Sequence, residues 1–183
     1  MNFFLIEIHA YKIGNSDPAP KFEVVEKPND FVKRSKVKSD DSDLNKSQGE
    51  RLAFWEQFNQ VVIARGKPFN LRKATTDHWY DVAMGTSDPH IAIDLVNKDG
   101  RIVVECYIND NKDLFDTLSD HKEEIEGALG FELIWDRMDG KKASRIKYRI
   151  DGLNFDDHSN YNELMNQTID VAVKMRDTFK KYM

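Results

Sequence analysis

The tripeptides Asp110-Asn111-Lys112 and Asp139-Gly140-Lys141 carry the acidic-x-lysine pattern of a magnesium-dependent phosphodiester hydrolase. In that chemistry two carboxylates hold the metal while the lysine positions the attacking water. Both have a structural explanation, since Asp110 opens a helical pattern and Asp139-Gly140 reads as the turn of a hairpin. The histidines, His9, His78, His90, His121 and His158, include no pair at the four-residue spacing of a helical metal clamp. His121, between Asp120 and Lys122, reads as part of a solvated helix face. Cys106 falls on the apolar parity of a strand with no basic neighbour on the same face, which suits a buried small hydrophobe rather than a nucleophile. There is no phosphate-cradling glycine loop and no Gly-x-Ser-x-Gly elbow. The sequence therefore assigns no catalytic residue, no metal site and no cofactor.

The most suggestive pattern is basic. Arg145, Lys147 and Arg149 alternate with Ile146, Tyr148 and Ile150, and Lys141 and Lys142 precede them. On a strand these cations form a stripe on one face, near Trp135 and Tyr107 if the hairpins are neighbours. Such a stripe can hold a DNA or RNA backbone while aromatic rings stack bases. It can equally be a row of cross-strand ion pairs with Glu105, Glu132 and Asp136, and the residues alone favour the ion pairs. A small-molecule pocket around Trp55, Trp79 and Tyr80 is a further candidate.

These residues need a scaffold, and the hydrophobic periodicity supplies one. Phe3 to Ile13 and Phe22 to Val25 read as a hairpin across a wide Gly-Asn-Ser-Asp-Pro loop. Asp30 to Lys46 is polar, first basic (Lys33, Arg34, Lys36, Lys38) and then acidic (Asp40, Asp41, Asp43), the composition of a solvated linker. Ser47 and Glu50 have capping-box spacing ahead of Leu52, Trp55, Phe58 and Val62, which predicts a helix start. Strands follow at Trp79 to Met84, His90 to Val96 and Arg101 to Ile108. A helix from Asp110 to Gly130, a hairpin of Phe131 to Arg137 with Ala143 to Ile150, and a helix over Tyr161 to Lys181 complete the order. The expected fold is α+β: an antiparallel sheet of about five strands with three helices, preceded by an N-terminal β-hairpin. The expected organisation is a hairpin over residues 1–28, a linker over 29–46 and an α+β domain over 47–183.

Composition narrows the partners. The chain has 183 residues, and 27 Lys and Arg against 32 Asp and Glu leave a net charge of -5, so binding to a polyanion has to be local. No apolar run approaches the roughly 20 residues of a membrane span, and a single cysteine excludes an intrachain disulfide framework. The expected compartment is the cytoplasm, with no membrane partner.

Several motifs in order resemble a known family: Arg51-Leu52-Ala53-Phe54-Trp55-Glu56-Gln57-Phe58-Asn59, Pro68-Phe69, Leu71-Arg72-Lys73, His78-Trp79-Tyr80-Asp81, Val104-Glu105-Cys106-Tyr107-Ile108, and Gly140-Lys141-Lys142-Ala143-Ser144-Arg145-Ile146. Over about residues 47–183 the chain resembles an uncharacterised prokaryotic family catalogued as a domain of unknown function, found typically after a nuclease-like domain of the PD-(D/E)XK type. Phe3-Phe4-Leu5-Ile6-Glu7-Ile8, Ile13-Gly14-Asn15-Ser16 and Lys27-Pro28-Asn29 resemble the tail of that upstream domain. The family's acidic catalytic motif has no counterpart here, so the resemblance implies a DNA-related context and no active-site residue. Two functions are expected from this: a non-catalytic accessory or nucleic-acid-interaction module, or a protein-interaction module. In the second, residues 1–28 pair with another copy of the chain or with a separate nuclease-like chain by strand addition.

Overall fold

A computed structural model of the chain describes residues 5–11, 19–26 and 41–183 except 87, with side chains from residue 46 onward. The chain divides into two compact units, Met1–Asn45 and Lys46–Met183. In the first, β1 (Leu5–Tyr11) and β2 (Ala19–Glu26) pair antiparallel as the expected hairpin, with Ile8 opposite Phe22 and a register shift between Leu5 and Ile6. They form a two-stranded sheet of their own. The basic run Lys33, Arg34, Lys36 and Lys38 lies outside the described residues.

Helix α1 (Asp41–Ala64) begins ahead of the capping box at Ser47. Asp41 and Asp43 fall in its first turn, where the partial positive charge of the free N–H groups favours acidic residues. β3 (Trp79–Val82), β4 (His90–Val96) and β5 (Arg101–Ile108) follow as an antiparallel meander, the last two with the bounds that alternation predicts. A 3-10 turn over Asn97–Asp99 joins β4 to β5 and ends on Gly100, whose φ of 63° suits glycine at that tight reversal.

The single helix expected between Asp110 and Gly130 is two, α2 (Lys112–Asp120) and α3 (Lys122–Leu129), broken at His121 with φ -101° and ψ 16°. Ser119, Asp120 and His121 are weak helix formers, and Glu123 and Glu124 suit a fresh N-terminal turn. The cap of α2 is Asn111 rather than Asp110: the Asn111 side chain accepts from the Leu114 N–H at 3.0 Å. Gly130 closes α3 with φ 75°, as its terminal position predicts. β6 is confined to Ile134–Asp136 and pairs antiparallel with β7 (Ser144–Asp151), after which α4 (Tyr161–Phe179) ends the fold. Among the described residues the second unit is thus an α+β arrangement of four helices and a five-stranded sheet of order β3-β4-β5-β7-β6, every neighbour antiparallel.

All four helices cover one face of that sheet. Phe54 and Phe58 of α1, Phe115 and Leu118 of α2, Ile125 of α3, and Met165, Ile169 and Phe179 of α4 form one buried cluster with Tyr80, Ile91, Ile93, Val104, Cys106 and Ile146. Removing this apolar surface from water, at about 25 cal/mol per Å², is what holds helices and sheet together. The strand period of two then fixes which side chains occupy the opposite face.

Candidate functional site

Across the register, the second face of the sheet reads in rows. Trp79, Asp94, Val103 and Arg149 form one; Asp81, Ala92, Glu105, Lys147 and Ile134 the next; His90, Tyr107, Arg145 and Asp136 the third. Arg145, Lys147 and Arg149 share this face, and two of them are paired. Arg145 Nη1 lies 3.4 Å from Glu105 Oε1, and Lys147 Nζ donates to Asp136 Oδ2 at 2.9 Å. The ion-pair row is therefore present for Glu105 and Asp136, while Glu132 lies outside β6. Lys141 and Lys142 sit in the β6–β7 turn, where Lys142 Nζ is 3.2 Å from Asp110 Oδ2. Trp135 belongs to the helix-covered side, edge-on to Phe115 at 6.1 Å and Phe179 at 6.5 Å, so only Tyr107 of the two expected aromatics accompanies the cations.

What the register does not reveal is a trough of about 620 Å³ over these rows. Arg145, Lys147 and Arg149 line it together with Arg51 from α1, Lys98 and Arg101, against the carboxylates Asp94, Asp99 and Glu105. Six cations thus face three anions in a protein that is acidic overall. Arg101 pairs with Asp99 at 3.2 Å, but among the described residues Arg51, Lys98 and Arg149 have no carboxylate partner. The Nε atoms of Arg51, Arg101 and Arg145 are buried without a hydrogen-bond partner, and all three arginines line the trough. A buried donor left unmade costs on the order of 1–3 kcal/mol. Three of them around one cavity, with cations in excess, suit an incoming group rich in acceptor oxygens.

A second depression of about 480 Å³ adjoins the trough and shares His78, Asp94, Glu105 and Arg145 with it. Trp79, His90 and Tyr107 supply its aromatic surface. The Arg72 guanidinium lies 3.6 Å from the Trp79 ring centroid and donates to Asp81 Oδ2 at 3.1 Å, which pins the indole. The His90 and Tyr107 rings lie 5.2 Å apart, and the Arg145 guanidinium is 5.3 Å from the Tyr107 centroid. Glu105, only 2% exposed, joins the two cavities. Burial away from water pushes its carboxyl up to about 7, the Asp94 carboxylate adds to the rise, and Arg145 and Lys147 oppose it. Burial raises Asp94 as well, against the pull of His78 and Arg145.

The other sequence candidates disperse. Trp55 and Tyr80 are in the core, each 1% exposed with ring centroids 5.2 Å apart, whereas Trp79 points to the opposite face. Adjacent strand residues necessarily diverge in this way. Lys112 of the first acidic-x-lysine tripeptide ties down the β6–β7 turn: its Nζ donates to the carbonyls of Arg137, Met138 and Ala143 and to Ser144 Oγ. Asp139-Gly140-Lys141 is that turn itself. Cys106 is fully buried, and burial drives its thiol far up from the ordinary range. Among the described residues no three His, Cys, Asp or Glu side chains converge as a metal site would require, and no helix is long and apolar enough to cross a membrane. Arg51, Arg101 and Asp94 were not singled out by spacing, and Glu105 only as an ion-pair partner of the basic strand. The one available signal was Glu105, an acid at the centre of an otherwise apolar strand.

No curated protein and no solved structure matches the chain. Residues 50–183, which contain every lining residue of the trough except Ser47, match one family, and the chain belongs to it: the family described as a domain of unknown function, DUF4268.

Proposed function

We propose that this domain is a nucleic-acid-interaction module that holds a strand by its phosphates in the trough on the polar face of the sheet. The observation that carries the reading is the set of three buried, unpartnered arginine Nε atoms around a cavity with six cations and three carboxylates. Phosphate oxygens satisfy such donors, and guanidinium forks suit them geometrically. The pinned aromatic surface next to the trough supplies what a single strand adds to its phosphates, a platform for bases. The resemblance to domains that follow PD-(D/E)XK nuclease-like domains supports a nucleic acid over other polyanions and an accessory, non-catalytic role. Of the five cations expected from sequence, Arg145, Lys147 and Arg149 act in this reading and Lys141 and Lys142 do not.

Single-stranded DNA and RNA of about ten nucleotides, within the usual site size, are the appropriate probes in fluorescence anisotropy. If Arg51, Lys98 and Arg149 each neutralise one phosphate, the affinity should fall roughly 20-fold between about 50 and 200 mM salt. Arg51→Glu with Arg149→Glu should abolish the binding and its salt dependence. Absence of binding at about 50 mM salt, or binding indifferent to the double charge reversal, refutes the reading.

The second reading, strand addition through residues 1–28, is favoured by one observation: among the described residues β1 and β2 make a sheet of two strands. An isolated pair of strands is marginal in water, and each presents an edge that another copy of the chain can extend. Light scattering should then show a dimer that becomes monomeric when residues 1–28 are deleted. A monomer both before and after the deletion excludes it.

A further inference from the structure

We infer that the depression beside the trough is a base subsite that selects guanine, an inference that rests on the strand-binding reading above. Its charged groups are mostly the wrong sign for a second phosphate: Asp81, Asp94 and Glu105 line it against one guanidinium, that of Arg145. Among the described residues neither Asp94 nor Glu105 accepts a hydrogen bond, and the nearest cation to Glu105, the Arg145 guanidinium, stands at 3.4 Å. Glu105 is nevertheless 2% exposed. Asp94 is partly buried, and a ligand that brings N–H groups supplies the donors that both carboxylates lack.

The surroundings say which N–H groups fit. Trp79 and Tyr107 present aromatic surface, and Ala92 leaves the space above the strand unfilled. A flat ring can lie there, as bases do on aromatic side chains. Guanine alone among the bases offers two adjacent donors, N1–H and the N2 amino group, on its pairing edge, and a carboxylate fork accepts both. Adenine and cytosine place an acceptor beside their donor, and thymine and uracil flank theirs with two carbonyls, so each sets oxygen or nitrogen lone pairs against a carboxylate. A lysine or arginine of a protein partner also seeks carboxylates and aromatic rings, but it would have to approach across a trough with twice as many cations as anions. A neutral base attached to phosphates meets no such barrier.

The experiment compares oligothymidine of about ten nucleotides with the same strand carrying one central guanine, or one central adenine, by fluorescence anisotropy. The guanine strand should bind about 10-fold more tightly than either other strand, the discrimination of one bidentate contact. Asp94→Asn should bind oligothymidine more tightly, because it removes a negative charge from the trough, while losing the guanine preference. Trp79→Leu should weaken the guanine strand most, and circular dichroism verifies that both variants are folded. Equal, salt-sensitive binding of the three strands overturns the guanine subsite and leaves the trough reading standing. Failure of every strand to bind overturns both, and binding of a lysine-rich peptide in their place reassigns the depression to a cationic side chain.

Discussion

Replacing Phe58 by alanine is expected to remove about 3–5 kcal/mol of folding free energy, a large share of the roughly 5–15 kcal/mol that a domain possesses. Phe58 is fully buried at the centre of an aromatic cluster built from three segments. Its ring centroid lies 5.7 Å from Trp55 on the same helix, 6.4 Å from Phe69 in the following loop and 5.4 Å from Tyr80 on β3. Two of these neighbours, Trp55 and Tyr80, cannot collapse into the vacated space without abandoning a bond. Trp55 Nε1 donates to the Asp77 carbonyl at 2.9 Å, and the Tyr80 hydroxyl donates to Asn59 Oδ1 at 3.0 Å while accepting from the Arg72 N–H at 2.7 Å. The cavity therefore persists, and its cost adds to the lost burial. Tyr80→Phe is the control: it keeps the ring and deletes the hydroxyl, leaving the Arg72 N–H and Asn59 Oδ1 unsatisfied for about 1–2 kcal/mol. Urea unfolding ranks the two, and a smaller loss for Phe58→Ala than for Tyr80→Phe contradicts this account of the cluster. Tyr80→Phe also reaches the polar face, because Arg72 is the residue that stacks on Trp79. A red shift of indole fluorescence without unfolding should accompany it.

How far the sequence leads depends on whether a feature is local. β4 and β5 announce their bounds because apolar residues alternate between sharp turn signals. The alternation of Arg145, Lys147 and Arg149 likewise identifies their shared face. The divergence of Trp79 and Tyr80 was legible on the same rule, so a pocket holding both was never open to a strand. The helix boundaries were less secure: the cap signal at Ser47 lies inside a longer helix, and the break at His121 needs no proline or glycine. The trough was not legible. It depends on Arg51 of α1 and Arg101 of β5 arriving beside β7, contacts that only the folded packing determines. Whether Arg145 is a free cation or half of an ion pair depends on strand order, which puts β7 between β5 and β6 and so brings Arg145 beside Glu105.

Glu105→Gln should change how stability depends on pH, and the direction follows from where the carboxyl titrates. An ordinary glutamate ionises near 4.5, whereas in the folded protein burial holds Glu105 at about 7. Between those values the folded chain keeps a proton that the unfolded chain has released, so the folding free energy falls as pH rises through this window and stays lower above it. The gap corresponds to on the order of 3 kcal/mol. Glutamine titrates nowhere, so the variant should gain that amount relative to the wild type between about pH 4.5 and 8. Because the histidines and other carboxylates are common to both proteins, the difference between the two urea curves isolates Glu105. A difference that is the same at both ends of the range shows that the carboxyl titrates normally. The same linkage connects this residue to the trough. Asp94, Asp136 and burial disfavour its charge, and Arg145 and Lys147 favour it. A strand that engages Arg145 through phosphate withdraws one of those supports and pulls the carboxyl further up, whereas a base that donates hydrogen bonds to it pulls the carboxyl down. Thymine-only strands should therefore take up protons on binding near pH 7, and a guanine-bearing strand should take up fewer or release them, as calorimetry in buffers of different ionisation enthalpy can read.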